Sequence, residues 1–179
     1  MRTEKDFIGE LEIEDNLLYG IHSLRAKQNF PTNDLFSFEW YKAVGLVKYA
    51  CFKTYKKFKI AALKKYKDKK FSNEFIANYI VDTLIDVSLE VSNGKYFEHF
   101  IVPAVSGGAG TSINMNINEI ITNVSLLKLG KSAGDYNFID PIETTNIFQS
   151  TNDIIPTSLR ITIIFLFKVL EQSINNLRY

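Results

Sequence analysis

The sequence predicts a mainly α-helical fold. It reads as a helical chain with a short extended or hairpin start and a long last helix that belongs in the core of a bundle supplied by other helices or subunits. Three observations predict it. From Ser37 onward apolar residues recur at three- and four-residue steps in successive segments. Alternating short runs are confined to the first 20 residues. The last segment, Leu159 to Leu170, is apolar on nearly all sides, as in a helix covered all round. Composition agrees: 46% apolar and 23% charged residues, with a net charge of +1, match an average globular protein and exclude a disordered chain. Nine glycines and four prolines in 179 residues exclude a collagen-like or low-complexity polymer, and one cysteine excludes an internal disulfide.

The elements follow in order. Phe7-Ile8-Gly9 and Leu11-Glu12-Ile13 suggest extended chain or a small hairpin, with Asp15-Asn16 as a turn signal. Pro31 and Thr32-Asn33-Asp34 break the next segment. Ser37 to Lys67 reads as a helix whose stripe is Trp40, Val44, Val47, Ala50 or Cys51, Tyr55 and Phe58, extended by Ile60 and Leu63. A second helix is expected from near Ser72, where Ser72-Asn73-Glu74 offers a cap and an early acid. Its face would be Phe75, Tyr79, Leu84 or Ile85, Leu89 and Val91, and Asn93-Gly94 would end it. A glycine-rich loop, 105–112, leads into a helix from Ser112 to Leu129 closed by Gly130. Asp135 to Asn146 is irregular around Pro141. A last helix begins near Asn152, with Pro156 tolerated in its first turn or two. The length suggests one domain, and no linker-like break in composition divides it.

The N-terminus has mixed charges and no apolar core behind it, so it does not read as a signal peptide. The run Ile161–Leu170 is far short of the ~20 residues that span a bilayer. These features predict a cytoplasmic protein without a membrane partner. Lys53 to Lys70 holds nine lysines against one acid. It reads either as a nucleic-acid surface or as a solvated helix face. The absence of arginine and the helical apolar spacing favour the face, and no nucleic-acid partner is expected. Cys51 in its apolar context reads as a small buried hydrophobe rather than a reactive thiol. His22 and His99 are the only histidines, so no metal site is expected.

Two polar clusters carry chemistry. Gly107-Gly108-Ala109-Gly110-Thr111-Ser112 precedes a helix, where small residues let backbone N–H groups approach an anion. Taken alone it is either a tight turn or a binding loop. Gln149-Ser150-Thr151-Asn152-Asp153 opens the last helix with two hydroxyls, two amides and unpaired helix-terminal N–H groups. N-capping needs only one of these residues. Two anion-ready helix starts suggest a ligand with two carboxylates. Asn114, Asn116 and Asn118 are poor helix formers within five residues. They imply buried hydrogen-bonding duties or mere compositional bias.

These blocks resemble those of the aspartase/fumarase superfamily. Residues 107–119 are similar to its GGAGTS-x-NMN-x-NE block and residues 149–157 to its QS[ST]ND-xx-PT block. Arg2-Thr3-Glu4-Lys5-Asp6, Tyr19-Gly20-Ile21-His22-Ser23-Leu24-Arg25-Ala26 and Ala43–Lys48 are also similar, and the likeness runs the length of the chain in order. The YGIHSLRA and GGAGTS spellings look more like the aspartate ammonia-lyase branch than fumarase. There are departures. Ile142-Glu143-Thr144-Thr145-Asn146 lacks the family's histidine, Phe148 replaces a small or polar residue, and Glu14 stands in place of proline.

The resemblance implies reversible elimination of ammonia from L-aspartate to give fumarate, without a cofactor, in homotetramers whose sites are shared between chains. It implies that Thr111, Ser150, Thr151 and Asn152 bind the dicarboxylate substrate, with Arg25, Ser112 and Asn114 in support. The family's catalytic serine lies in a GSSxMPxKxNP loop that this sequence lacks, so no catalytic residue is expected in this chain. The resemblance thus implies an N-terminal fragment inactive alone: an N-terminal helical domain over 1–145 and, over 146–179, the first long helix of a central helical bundle, truncated. The alternatives are a fumarase-type lyase, a truncated non-catalytic chain that associates with intact subunits through Ile161–Leu170, and an anion- or nucleic-acid-binding module using Lys53–Lys70.

Overall fold

A computed structural model describes residues 1–32, 34, 36–66, 75–106 and 108–178. Strands β1 (Arg2–Lys5) and β2 (Glu10–Ile13) form an antiparallel hairpin with Arg2 opposite Ile13 and Lys5 opposite Glu10. Its turn is not Asp15-Asn16, which bends the chain after β2. Asp6 and Gly9 close it: the Asp6 carboxylate accepts the N–H groups of Ile8 and Gly9 at 2.9 and 3.0 Å.

Helix α1 (Ile21–Asn29) follows. Nothing local announces it, because its start at Gly20 has no side-chain cap of its own. Its N-terminal donors are met from far away. Glu119 accepts from the backbone of Gly20, His22 and Ser23 and from the Ser23 hydroxyl, and Glu4 accepts from Ile21 N–H at 2.8 Å.

Helix α2 (Phe38–Lys65) is capped by Ser37, whose hydroxyl accepts from Trp40 N–H. Val44, Val47 and Tyr55 are buried as expected, but Phe58 and Ile60 are exposed. The buried face instead takes in Tyr41, Phe52 and two lysines, Lys48 and Lys59. Lys67 lies outside the described residues.

Helix α3 (Asn78–Ser92) starts later than expected. Phe75 to Ala77 are not helical, and the proposed cap Ser72-Asn73-Glu74 lies outside the described residues. Tyr79 and Leu89 are exposed, whereas Ile80, Val81, Leu84, Val87 and Val91 are buried. Gly94, at φ +88°, ends the helix, with Lys95 N–H returning to Glu90 O at 3.1 Å. Helix α3 packs along α2 where Gly45 lets the backbones meet: a Cβ there would lie 2.6 Å from Ser92 N.

Helix α4 (Thr111–Lys128) is the central element, buried continuously from Asn116 to Leu126 and in contact with α1, α2, α3 and the last helix. Its polar residues have work inside. Asn116 accepts from Ile101 N–H, Asn123 donates to Leu18 O, and Thr122 meets Thr145.

Helix α5 (Thr151–Leu177) begins at the Ser150 cap, whose hydroxyl accepts from Asn152 N–H. Ile154, Ser158 and Thr162, one i, i+4, i+8 row, face the domain, and Trp40 of α2 donates to Ser158 Oγ at 2.9 Å. Beyond Thr162 every described residue of α5 is exposed, including Phe165, Leu166, Phe167 and Leu170.

Candidate dicarboxylate site

The loop before α4 is built for close approach. Gly108, Ala109 and Gly110 have φ of +72°, +51° and +86°, a left-handed run in which alanine carries a strain of ~1–3 kcal/mol. Gly107 lies outside the described residues. A Cβ on Gly110 would lie 2.8 Å from Ile155 Cγ1, so the glycine lets the loop rest on the first turns of α5. Two segments some forty positions apart in sequence are thereby brought together: the loop that carries Thr111 and the helix start that carries Ser150, Thr151 and Asn152.

Thr111 is exposed, and its hydroxyl donates to Gly108 O at 2.5 Å. The N-terminus of α4 has no side-chain cap, and a 3₁₀ turn over Gly108–Gly110 runs directly into it. Ser150 and Asn152 are exposed and Thr151 is half-buried. An anion between these helix starts would meet hydroxyls and the positive ends of two helix dipoles.

Ser112 and Thr111 share a cleft of about 230 Å³ with Asp6, His22, Arg25 and Met115. Arg25 is already engaged there: it donates to both Asp6 carboxylate oxygens, at 2.6 and 2.9 Å, and to Gly9 O. The Arg25 hydrogen bond, aided by the amides of Gly9 and Ile8, holds the Asp6 carboxyl at about 2. Arg25 therefore fastens the hairpin turn to α1. Asn114 points away from this cleft into the interior, where its amide donates to Asn146 Oδ1 at 3.0 Å.

Behind the helix starts lies a buried polar cluster that the sequence reasoning missed. Lys48 is fully buried and donates to Asn146 Oδ1 at 3.0 Å and Gln149 Oε1 at 2.8 Å, and burial lowers its amine to about 7. A signal was present: Lys48 falls on the α2 stripe between Val44 and Tyr55, where a lysine has no reason to be. Glu119 was missed likewise. Burial raises its carboxyl to about 7, although Ser23 and the amides of Gly20 and His22 favour the ionised form.

The remaining candidates are tied up elsewhere. His99 Nδ1 accepts from Leu18 N–H at 3.3 Å, and burial lowers its pKa. In the basic run, Lys59 donates to Ile76 O and Asn78 Oδ1, and Lys56 pairs with Asp82. Lys67, Lys69 and Lys70 lie outside the described residues. Cys51 is partly buried and lines an apolar cavity of about 470 Å³ with Tyr55, Phe58, Phe148 and Ile161. No described helix is long and apolar enough to cross a membrane.

Residues 9–179 match the family model described as Lyase. The chain belongs to the lyase family. It is 37% identical over 177 residues to the aspartate ammonia-lyase of Bacillus subtilis, covering 98% of this chain and 34% of that enzyme. It is 41% identical over 174 residues to the aspartate ammonia-lyase of Helicobacter pylori, covering 91% and 32%. Among solved structures, fumarate lyase:delta crystallin from Brucella melitensis superposes with a TM-score of 0.76 at 32% identity, covering 92% of this chain and 34% of that one. The chain thus spans about a third of the length of the lyases it matches, and it resembles their N-terminal part.

Proposed function

We propose that this lyase-family chain holds the carboxylates of L-aspartate and fumarate in a site that reversibly eliminates ammonia. Removing the weakly acidic C3 proton leaves extra negative charge on the adjacent carboxylate, and donors preorganised around that charge lower the barrier. Thr111 and the first amides of α4 serve one carboxylate. Ser150, Thr151, Asn152 and the start of α5 serve the other. Ser112 and Asn114 support the loop, and Arg25 keeps the cleft wall in place. The observation that carries this reading is the contact between Gly110 and Ile155, which brings the two helix starts together.

The base that takes the C3 proton is assigned to a chain segment with the family's serine loop, which these 179 residues do not contain. The exposed apolar length of α5 beyond Thr162 supports association with further helices, in a cytoplasmic homotetramer with shared sites. On this reading the chain alone does not turn over. The test is fumarate release from L-aspartate by the purified chain, alone and with a polypeptide that carries the serine loop. The expected result is no release alone, and release in the mixture that is lost in Thr111→Ala. Steady turnover by the chain alone that Thr111→Ala abolishes would overturn the assignment of the base.

A further inference from the structure

Lys48 is the buried group that the proposed chemistry leaves unused. It lies in the N-terminal half of α2 with no exposed surface, and no carboxylate among the described residues pairs with it. Burying an amine without a counter-ion is costly, and methionine would fill a similar volume without that cost. What the amine holds is therefore the point of interest.

Its two acceptors, Asn146 and Gln149, bracket a tight turn. Gln149 N–H donates to Asn146 O at 3.0 Å, and Asn146 Nδ2 donates to Gln149 O at 3.1 Å. Phe148, inside the turn, has φ +54°, a conformation that a bulky side chain adopts only under constraint. The next residue is Ser150, the cap of α5. Asn146 Oδ1 also receives Asn114 Nδ2 at 3.0 Å and Asn118 Nδ2 at 3.3 Å, so one amide joins α2, α4 and the turn. Asn114 is one helical turn from Thr111.

The geometry points to Lys48 as a positioning residue: through Asn146 and Gln149 it fixes the strained turn that delivers Ser150, Thr151 and Asn152 beside the Thr111 loop. This rests on the dicarboxylate reading above. Lys48 touches no substrate atom and acts only through the turn.

Amide hydrogen exchange tests it directly. In Lys48→Met the amides of Asn152, Asp153 and Ile154 should exchange about ten-fold faster or more, because hydrogen bonds from a charged donor are lost. The core amides of α4, Ile117 to Ile121, should keep the wild-type rate. Lys48→Gln, which retains a donor, should recover part of the protection. Exchange at 152–154 within about two-fold of wild type in Lys48→Met would overturn the assignment, as would equal loosening of α4, which marks a merely structural role. Should Lys48→Met fail to fold, Gln149→Leu removes the acceptor from a partly exposed position. The same local acceleration is expected there, and its absence overturns the proposal. Fumarate added to wild type should slow exchange at 152–154. If it does not, the dicarboxylate reading fails, while the comparison of variants still decides the role of Lys48.

Discussion

Replacing Gly110 with alanine adds one methyl group where the structure leaves no room. The new Cβ would lie 2.8 and 3.0 Å from Ile155 Cγ1 and Cγ2, and φ stays at +86°. The left-handed conformation costs a residue with a Cβ ~1–2 kcal/mol. Forcing a methyl group into a packed contact adds ~1–3 kcal/mol. Gly130→Ala provides the control, because Gly130 has φ +72° and nothing within 4 Å of an added Cβ. It carries the conformational cost alone. In a domain of this size 1 kcal/mol moves the melting temperature by roughly 2–4 °C, so Gly110→Ala should melt about 4–20 °C lower and Gly130→Ala about 2–8 °C lower. Thermal unfolding followed by circular dichroism reads both. Equal shifts in the two variants would refute the claim that Gly110 exists to seat the loop on α5.

Three further outcomes follow from the same geometry. Glu119 has a folded pKa raised to about 7 from an ordinary 4.5, so its contribution is fully present below pH 4.5 and lost as pH rises to 7; urea unfolding of Glu119→Gln should lack this decline. Arg25→Met should let the Asp6 carboxyl rise from about 2 toward its ordinary 3.8, read by a carbon-13 titration of Asp6. Leu84→Ala should cost about 2–5 kcal/mol in urea unfolding, whereas Leu89→Ala, 42% exposed, should cost well under half of that.

Much of the helical plan was legible because it is written in local signals. Ser37, the cap of α2, stands where the helical pattern begins, Ser150 is one of the residues in 149–153 that could cap the last helix, and Gly94 and Gly130 mark helix ends through the left-handed backbone they permit. The remainder depends on distant partners. Helix α1 was missed because Glu119 and Glu4 cap it across 96 or more and 17 positions of chain. The α3 face was read correctly at Leu84 and Val91 but not at Tyr79 and Leu89, which fit a three- and four-residue pattern while α2 covers the neighbouring stripe. At the site, the glycine loop and the last helix start are visible as motifs, but their adjacency rests on Gly110 meeting Ile155. Asn114, given a supporting role by its motif and a buried hydrogen-bonding duty by its place early in a helix, donates to Asn146 beside the buried Lys48.

The central claim is that the starts of α4 and α5 together hold a dicarboxylate. Titration of the isotopically labelled chain with fumarate, followed through backbone amide resonances, tests it most directly. The account predicts saturable shifts at Thr111, Ser112 and Ser150–Asp153, abolished in Thr111→Ala. Shifts confined to the lysine face of α2 at Lys53–Lys65, or none at either helix start, would contradict it.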